Sequence, residues 1–395
     1  MDKMILTRGN PQEEAPKRVE KKPNKKLRIA LILLAVLVLL GVLVSVLWDA
    51  NSFDGLRRSV IYSHAEKDGN GCAMLYGYGG DRSARFAALD GSLLIASPTQ
   101  IRLIGENGAV RFDESVRFQN CTVVKCGSRA AVCDVGGTDV YVMDSHGLTR
   151  HMEMPGQILA ASMSEKGCLT VTVNDSGYKA SVKVYDENGA PAFDFHSADR
   201  FLMAASLSRD GRTMMAVTLG ESDGVFANRL VTYRLTGTQP LNKVDLTGGA
   251  VYDVGVVGRR FCAVSEDALY FLTASGALTE TYDFDGATLR RCSLDGDGYA
   301  ALLLGHYKTG SRCRLVTVNE DGRPVAELEV DGDVVDLSVS GRYVAVLYSD
   351  HLTIYDKTLR QLATLKEVST VRQVLMRNDG SAVLAGLTSA SLYLP

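Results

Sequence analysis

The chain has 395 residues, with 38 Gly, 9 Pro, 23% charged residues and a formal net charge of −3. That length exceeds one ordinary hydrophobic core and requires two domains or one large repetitive domain. The charge is uneven: residues 1–28 hold nine Lys/Arg against four Asp/Glu, leaving 34 against 42 for the remainder, and this net-acidic body lacks the basic face that a nucleic-acid partner demands.

Residues 1–28, interrupted by Pro11, Pro16 and Pro23, read as a disordered basic tail. Residues 29–48 follow without a charge, and fifteen of these twenty are Ile, Leu or Val. As a helix they would span about 30 Å of hydrocarbon, and each such side chain favours insertion by roughly 0.3–0.6 kcal/mol near the helix centre. The run exceeds the apolar stretch of a cleavable signal, and Trp48, Asp49 and Ala50 form no small-residue cleavage site. A transmembrane signal anchor contacting the lipid bilayer is therefore expected. Lys17, Arg18, Lys21, Lys22, Lys25, Lys26 and Arg28 precede the span, whereas only Arg57 and Arg58 follow it closely. This asymmetry predicts a cytoplasmic N-terminus, a linker over 49–58 and a domain outside the cell membrane.

Residues 59–395 contain an internal repeat. Apolar runs are divided by a turn at Gly91, Gly127, Gly167, Gly211, Gly258, Gly298, Gly341 and Gly380, and by a second at Gly108, Gly147, Gly189, Gly237, Gly276, Gly322 and the equivalent Thr358. Both series keep a period of roughly 40 residues. Between them residues alternate with period two, as in 180–185 and 351–355, the pattern of half-buried strands, four to a repeat. Four antiparallel strands per unit predict an all-β fold, a β-propeller. Eight blades account for the 337 residues; seven, the fallback, leave more than fifty without a role. The last unit stops at its third strand, so the segment 72–78 is expected to supply the fourth and close the ring, removing two open edges.

The eight cysteines lie mostly in apolar runs and read as buried thiols, with disulfides the alternative. The six histidines are scattered, and residues 295–298 and 331–333 read as Asp-Gly turns rather than calcium loops. No catalytic, cofactor-binding or metal-binding motif is present. The single Trp, Trp48, lies at the expected membrane interface, so the repeat region lacks the Trp that many sugar-binding clefts and repeat signatures use. Two connections between second and third strands, 220–228 and 305–312, exceed the hairpin minimum and share a face. They supply the candidate ligand or partner residues Asp223, Phe226, His306, Tyr307 and Lys308.

The basic tail, the anchor and a propeller containing Asp134, Gly136, Gly137 and Tyr141 in an Asp-x-Gly-Gly-x-x-x-Tyr pattern resemble an uncharacterised membrane-anchored family of Gram-positive bacteria. That resemblance implies an exported propeller and brings no activity with it. The expected function is a non-enzymatic scaffold or sensor that binds an envelope protein. The alternative is an envelope hydrolase or lyase whose acid and base come from loops of different blades.

Overall fold

All eight glycines of the first series lie between the first and second strands of a four-stranded antiparallel sheet, with φ from 57° to 88°. The computed structural model describes residues 31–42, 55, 58, 62 and 66–395, except 106–107, 223, 247 and 307–311. It contains eight such sheets, the blades of an all-β propeller. Blades 1 to 7 span residues 85–115, 121–153, 158–197, 201–246, 251–283, 288–331 and 334–366, and blade 8 takes 373–393. The repeat period therefore reads out as eight blades, not seven.

Blade 8 is completed as expected. Its strands Gln373–Met376, Ala382–Ala385 and Ser389–Tyr393 are joined by Cys72–Gly77, paired from Cys72 opposite Tyr393 to Gly77 opposite Ser389. The Tyr78 hydroxyl then donates to the carbonyls of Gly386 and Ser389. The first strands of neighbouring blades meet around an axis, and blade 8 returns to blade 1. Between blades 7 and 8 every second residue from Asp336 to Ser340 makes a tie. Asp336 accepts the Val374 N–H at 3.0 Å, the Ser338 hydroxyl accepts that of Met376 at 3.0 Å, and Ser340 donates to Asn378.

Burial departs from the half-buried expectation. Ser92–Ala96, Leu169–Val173 and Tyr343–Tyr348, all second strands, are buried at every position. Blades stack face to face, so both sides of a middle strand are covered. Fourth strands, such as Val110–Ser115 and Leu148–Glu153, alternate with solvent. Polar residues of the middle strands, including Ser181, Thr317 and Thr353, are consequently buried between blades, where Thr317 donates to the Lys357 carbonyl of the next blade at 2.8 Å.

The antiparallel order gives the ring two faces. First-to-second and third-to-fourth turns share one, here the turn face. Second-to-third hairpins and blade-to-blade connections share the other, the crossover face. The chain enters on the turn face: the Gly71 carbonyl accepts the Leu394 N–H, and the Tyr62 hydroxyl donates to Asp379 at 3.0 Å while accepting from Arg377 at 2.9 Å.

The chain divides into units 1–59 and 60–395. In the first, residues 31–42 form a helix with exposed apolar side chains. These twelve residues rise only about 18 Å, and among the described residues no helix is long and apolar enough to cross a membrane. The rest of the expected anchor over 29–48, and all of 1–28, lie outside the described residues. All eight cysteines are free thiols and five are buried. Burial pushes the Cys133 thiol up to about 12, which suppresses the thiolate needed for reactivity.

Candidate functional site

On the crossover face, blade 4 stands out. Thr213–Ser222 and Val225–Arg234 pair without a break from Thr213 opposite Arg234 to Ser222 opposite Val225. The span 220–228, expected as a long loop, is therefore mostly strand. Its period-two pattern continues the ladder, and only two residues remain for the turn. The first and fourth strands of the blade reach no further than Leu219 and Asn228, so the tip projects as a free hairpin. Val225 and Phe226 there are 67% and 71% exposed.

The base of this hairpin is held firmly. Buried Arg200 donates through Nε to Thr218 Oγ1 at 3.0 Å and through a terminal nitrogen to the Ala227 carbonyl. Thr218 in turn donates to the Arg229 carbonyl, and Arg229 meets Asp245 at 2.6 Å. That pair holds the Asp245 carboxyl below its usual range. A projecting tip on a fixed base suits presentation to a partner.

More apolar surface surrounds the axis on the same face. In blades 3, 4 and 5 the first strand slips register at one residue, between Ile158 and Ala160, Leu202 and Ala204, and Val251 and Asp253. Such bulges re-aim the extra side chain. Here the extra residues are Leu159, Met203 and Tyr252, all exposed, as is Phe201. The Lys179 ammonium lies 4.9 Å from the Phe201 ring, and the Tyr178 ring packs on His196 at 4.5 Å.

His196 belongs to a closed polar network. The Ser181 hydroxyl lies 2.7 Å from His196 Nδ1 and donates to Asp175 at 2.8 Å, while His196 Nε2 is 3.3 Å from Asp194. Lys183 bridges Asp194 and Asp175 at 2.6 and 3.5 Å. These residue types match a nucleophile, base and orienting acid. However, Ser181 is fully buried and its proton goes to Asp175, so its oxygen faces no substrate in this state. The Ser181 donation holds the Asp175 carboxyl below its usual range.

Along the axis, solvent reaches Lys125, Asp253 and Asp295, yet surrounding protein strips much of their hydration. Burial pushes both carboxyls up; the Asp295 charge adds to the rise at Asp253, and Lys125 opposes it at Asp295. The Lys125 ammonium is pushed down by the same burial. A narrow wet passage lined by first strands accounts for both observations. Asp336 is likewise raised by burial, against the N–H bonds it accepts. Among the described residues no group of His, Cys, Asp or Glu is arranged to hold a metal.

Of the five residues singled out from sequence, Phe226 lies at the exposed hairpin tip. His306 follows the second strand of blade 6, with Nε2 at 2.8 Å from Glu329. Asp223, Tyr307 and Lys308 lie outside the described residues. Phe226 and His306 share the crossover face but sit two blades apart. Sequence reasoning missed Leu159, Phe201, Met203 and Tyr252. An apolar residue in a first strand looks like core until a bulge turns it outward, and no local signal announces the bulge.

The Asp-x-Gly-Gly-x-x-x-Tyr pattern builds structure here. Asp134 accepts the N–H groups of Gln119 and Asn120 at 2.7 and 3.1 Å, and Gly136 and Gly137 exchange backbone bonds with Ile158 of the next blade. Tyr141 stacks on His151 and donates to Glu114 of the preceding blade.

The sequence pattern of a family of unknown function, DUF5711, matches residues 78–384. No curated protein matches the chain in sequence. Among solved structures, BamB from Moraxella catarrhalis is similar over 82% of this chain and 100% of its own, at 14% identity and a TM-score of 0.54. The computationally designed Ika8 protein is similar over 82% and 99%, at 15% identity and 0.55, and apo AztD from Citrobacter koseri over 77% and 90%, at 11% identity and 0.51. At these identities the likeness concerns the fold alone.

Proposed function

We propose that this chain, which belongs to the DUF5711 family of unknown function, is a membrane-tethered, non-enzymatic binding module whose propeller lies outside the cytoplasm and docks an envelope protein on its crossover face. The observation that carries this reading is the projecting hairpin of blade 4, with Val225 and Phe226 exposed at its tip on the same face as the exposed Leu159, Phe201, Met203 and Tyr252. Clustered apolar side chains on an otherwise polar rim mark contact surfaces. Within the propeller unit, the strand Cys72–Gly77 starts on the opposite, turn face. Support for the tether is the uncharged run 29–48 behind its basic cluster.

Site-specific photocross-linking in native membranes tests the docking face. A cross-linker at Phe226 should capture one discrete protein, a cross-linker at Leu278 on the turn face should not, and Val225→Ser with Phe226→Ser should abolish the interaction in the purified pair. Equal capture from both positions would overturn the assignment. Orientation is read separately by impermeant thiol labelling of intact cells, with Gly237→Cys expected to react above the parent background and Asn10→Cys not.

A further inference from the structure

Blades 2 and 3 enclose a cleft of about 160 Å³ on the turn face. Two guanidiniums line it, both from blade 2. Arg129 starts the second strand and Arg150 lies in the fourth. Their surroundings leave them poorly matched. Among the described residues the Arg129 guanidinium donates only to the Glu187 backbone carbonyl, at 3.4 Å. The Arg150 guanidinium makes no hydrogen bond or ion pair among the described residues, although the residue is half-buried against Gly189. Two carboxylates also lie in the cleft wall. Asp186 is committed to the turn, accepting the N–H groups of Asn188 and Ala190 at 2.9 and 2.8 Å, and Glu187 points to Cys168 Sγ at 4.0 Å. Among the described residues neither forms an ion pair with the arginines.

The repeat supplies an internal control, because the interface between blades 5 and 6 has the same construction. Arg260 stands two residues after Gly258, as Arg129 stands two after Gly127. Thr279 donates to the Phe271 carbonyl as Thr149 does to that of Val142, and the next residue packs on the turn glycine of the following blade, Glu280 on Gly322 and Arg150 on Gly189. Asn319 receives the Asp321 and Arg323 N–H groups as Asp186 does those of Asn188 and Ala190. In that copy Arg260 is met by Asp321 at 3.6 Å. The position of Asp321 is occupied in blade 3 by the neutral Asn188, and that of Glu280 in blade 2 by Arg150. Relative to that copy Asp321 becomes neutral and Glu280 becomes a cation, while Asn319 becomes Asp186, whose Oδ1 is taken by the turn N–H groups; the Arg150 guanidinium is thereby left without an ion-pair partner among the described residues.

We propose that the blade 2/3 cleft is a phosphate-binding site, with Arg129 and Arg150 taking the oxygens of one phosphate group and Val142, Met152 and Leu169 packing on the carbon body it is attached to. Guanidiniums present paired N–H donors that match oxyanions in bidentate fashion. A cavity near 150 Å³ holds a ligand about the size of benzene, so the phosphate group itself fits and the rest of its substituent extends out of the cleft. The phosphate can come from a soluble monoester or from the diester headgroup of a phospholipid.

The test uses the full chain in non-ionic detergent, titrated calorimetrically with inorganic phosphate, glycerol 3-phosphate and glycerophosphoglycerol. Saturable binding of at least one is expected, with Kd raised roughly 10-fold or more by Arg129→Gln and by Arg150→Gln. Asn188→Asp, which installs the acid found in the other copy, should weaken binding without removing a donor, so the assignment stays testable if an arginine variant misfolds. Arg111→Gln is the control, since Arg111 is occupied by the Ser145 carbonyl and the Ser92 hydroxyl at 2.5 and 2.8 Å, and its Kd should stay within about twofold of the parent. Preference for glycerophosphoglycerol assigns the lipid headgroup as source; preference for either of the others assigns a soluble phosphate. Absence of saturable binding by all three, or parental Kd values in both arginine variants and Asn188→Asp, overturns the proposal.

Discussion

At the blade 2/3 and the blade 5/6 interfaces, a threonine of the fourth strand bonds back to the third, an arginine leans across from the second strand, and a turn glycine of the following blade receives a long side chain. Behind that rim both interfaces are filled by buried aliphatic residues: Ala131, Val140 and Val171 in one, Leu269, Leu302 and Val316 in the other. The charges differ. Blade 5/6 pairs its arginine with Asp321, whereas blade 2/3 offers Asn188 and a second arginine. Nearer the axis the contrast reverses: Asp253 and Asp295 flank the 5/6 interface, while the residues at the same distances from the turn glycines in blades 2 and 3 are Thr122 and Ser164. The apolar layer, common to both, is enough to hold blades together, so the polar rim was free to diverge toward a structural pair in one copy and an open cleft with two arginines in the other.

Turn glycines should separate the two interfaces most strongly. Gly322 has φ of +73°, and a Cβ there would meet the Glu280 stem and the Phe271 ring. Gly189 has φ of +74°, but its Cβ would meet chiefly the movable end of Arg150. Gly322→Ala should therefore cost about 2–4 kcal/mol, combining left-handed strain with overpacking, against about 1–2 kcal/mol for Gly189→Ala, from the strain. Denaturant melts of the two variants check the order, and equal losses would show that packing behind these glycines does not differ.

Next in size is conversion of one rim into the other. Arg150→Glu combined with Asn188→Asp installs the acids of Glu280 and Asp321 at the 2/3 interface. Stability should change by less than about 1 kcal/mol, because the groups are partly solvated, while phosphate affinity should fall below detection in the same titration. A large loss of stability instead would mean that the arginines act in packing rather than in binding.

The smallest effect belongs to the axial acids. The folded pKa of Asp253 lies above its ordinary 3.8, so the folded state binds its proton more tightly than the unfolded state does. Its ionised form therefore costs stability at neutral pH, and that cost fades as pH falls through the raised pKa toward 3.8. Asp253→Asn should raise Tm at pH 7, by no more than about 2 °C given solvent access, and the gain should shrink in melts near pH 4. Thr122→Val, at the corresponding position of blade 2, should show no such pH dependence.

Blade number, the closing strand and the turn positions were legible in the chain because they are local and repeated: a glycine at each left-handed turn, a run of alternating residues between turns, and a last unit visibly short of one strand. The candidate site was legible only at Phe226. The expected loop around it is a hairpin, since strand pairing extends wherever two alternating runs flank a two-residue turn. The 2/3 cleft left no motif at all. Arg129 and Arg150 are unremarkable surface arginines in sequence, and their meaning comes from residues about forty positions away that stacking brings beside them.

The sequence by itself determined the repeat, the order of strands within each blade and the way the ring closes, because backbone pairing depends on neighbours along the chain. Only the tertiary structure decided which side chains are buried between blades, which are turned outward by bulges, and which charges meet a partner. Those outcomes depend on the face one blade presents to the next, and at the blade 2/3 interface two cations face a cleft where an acid stands in the other copy.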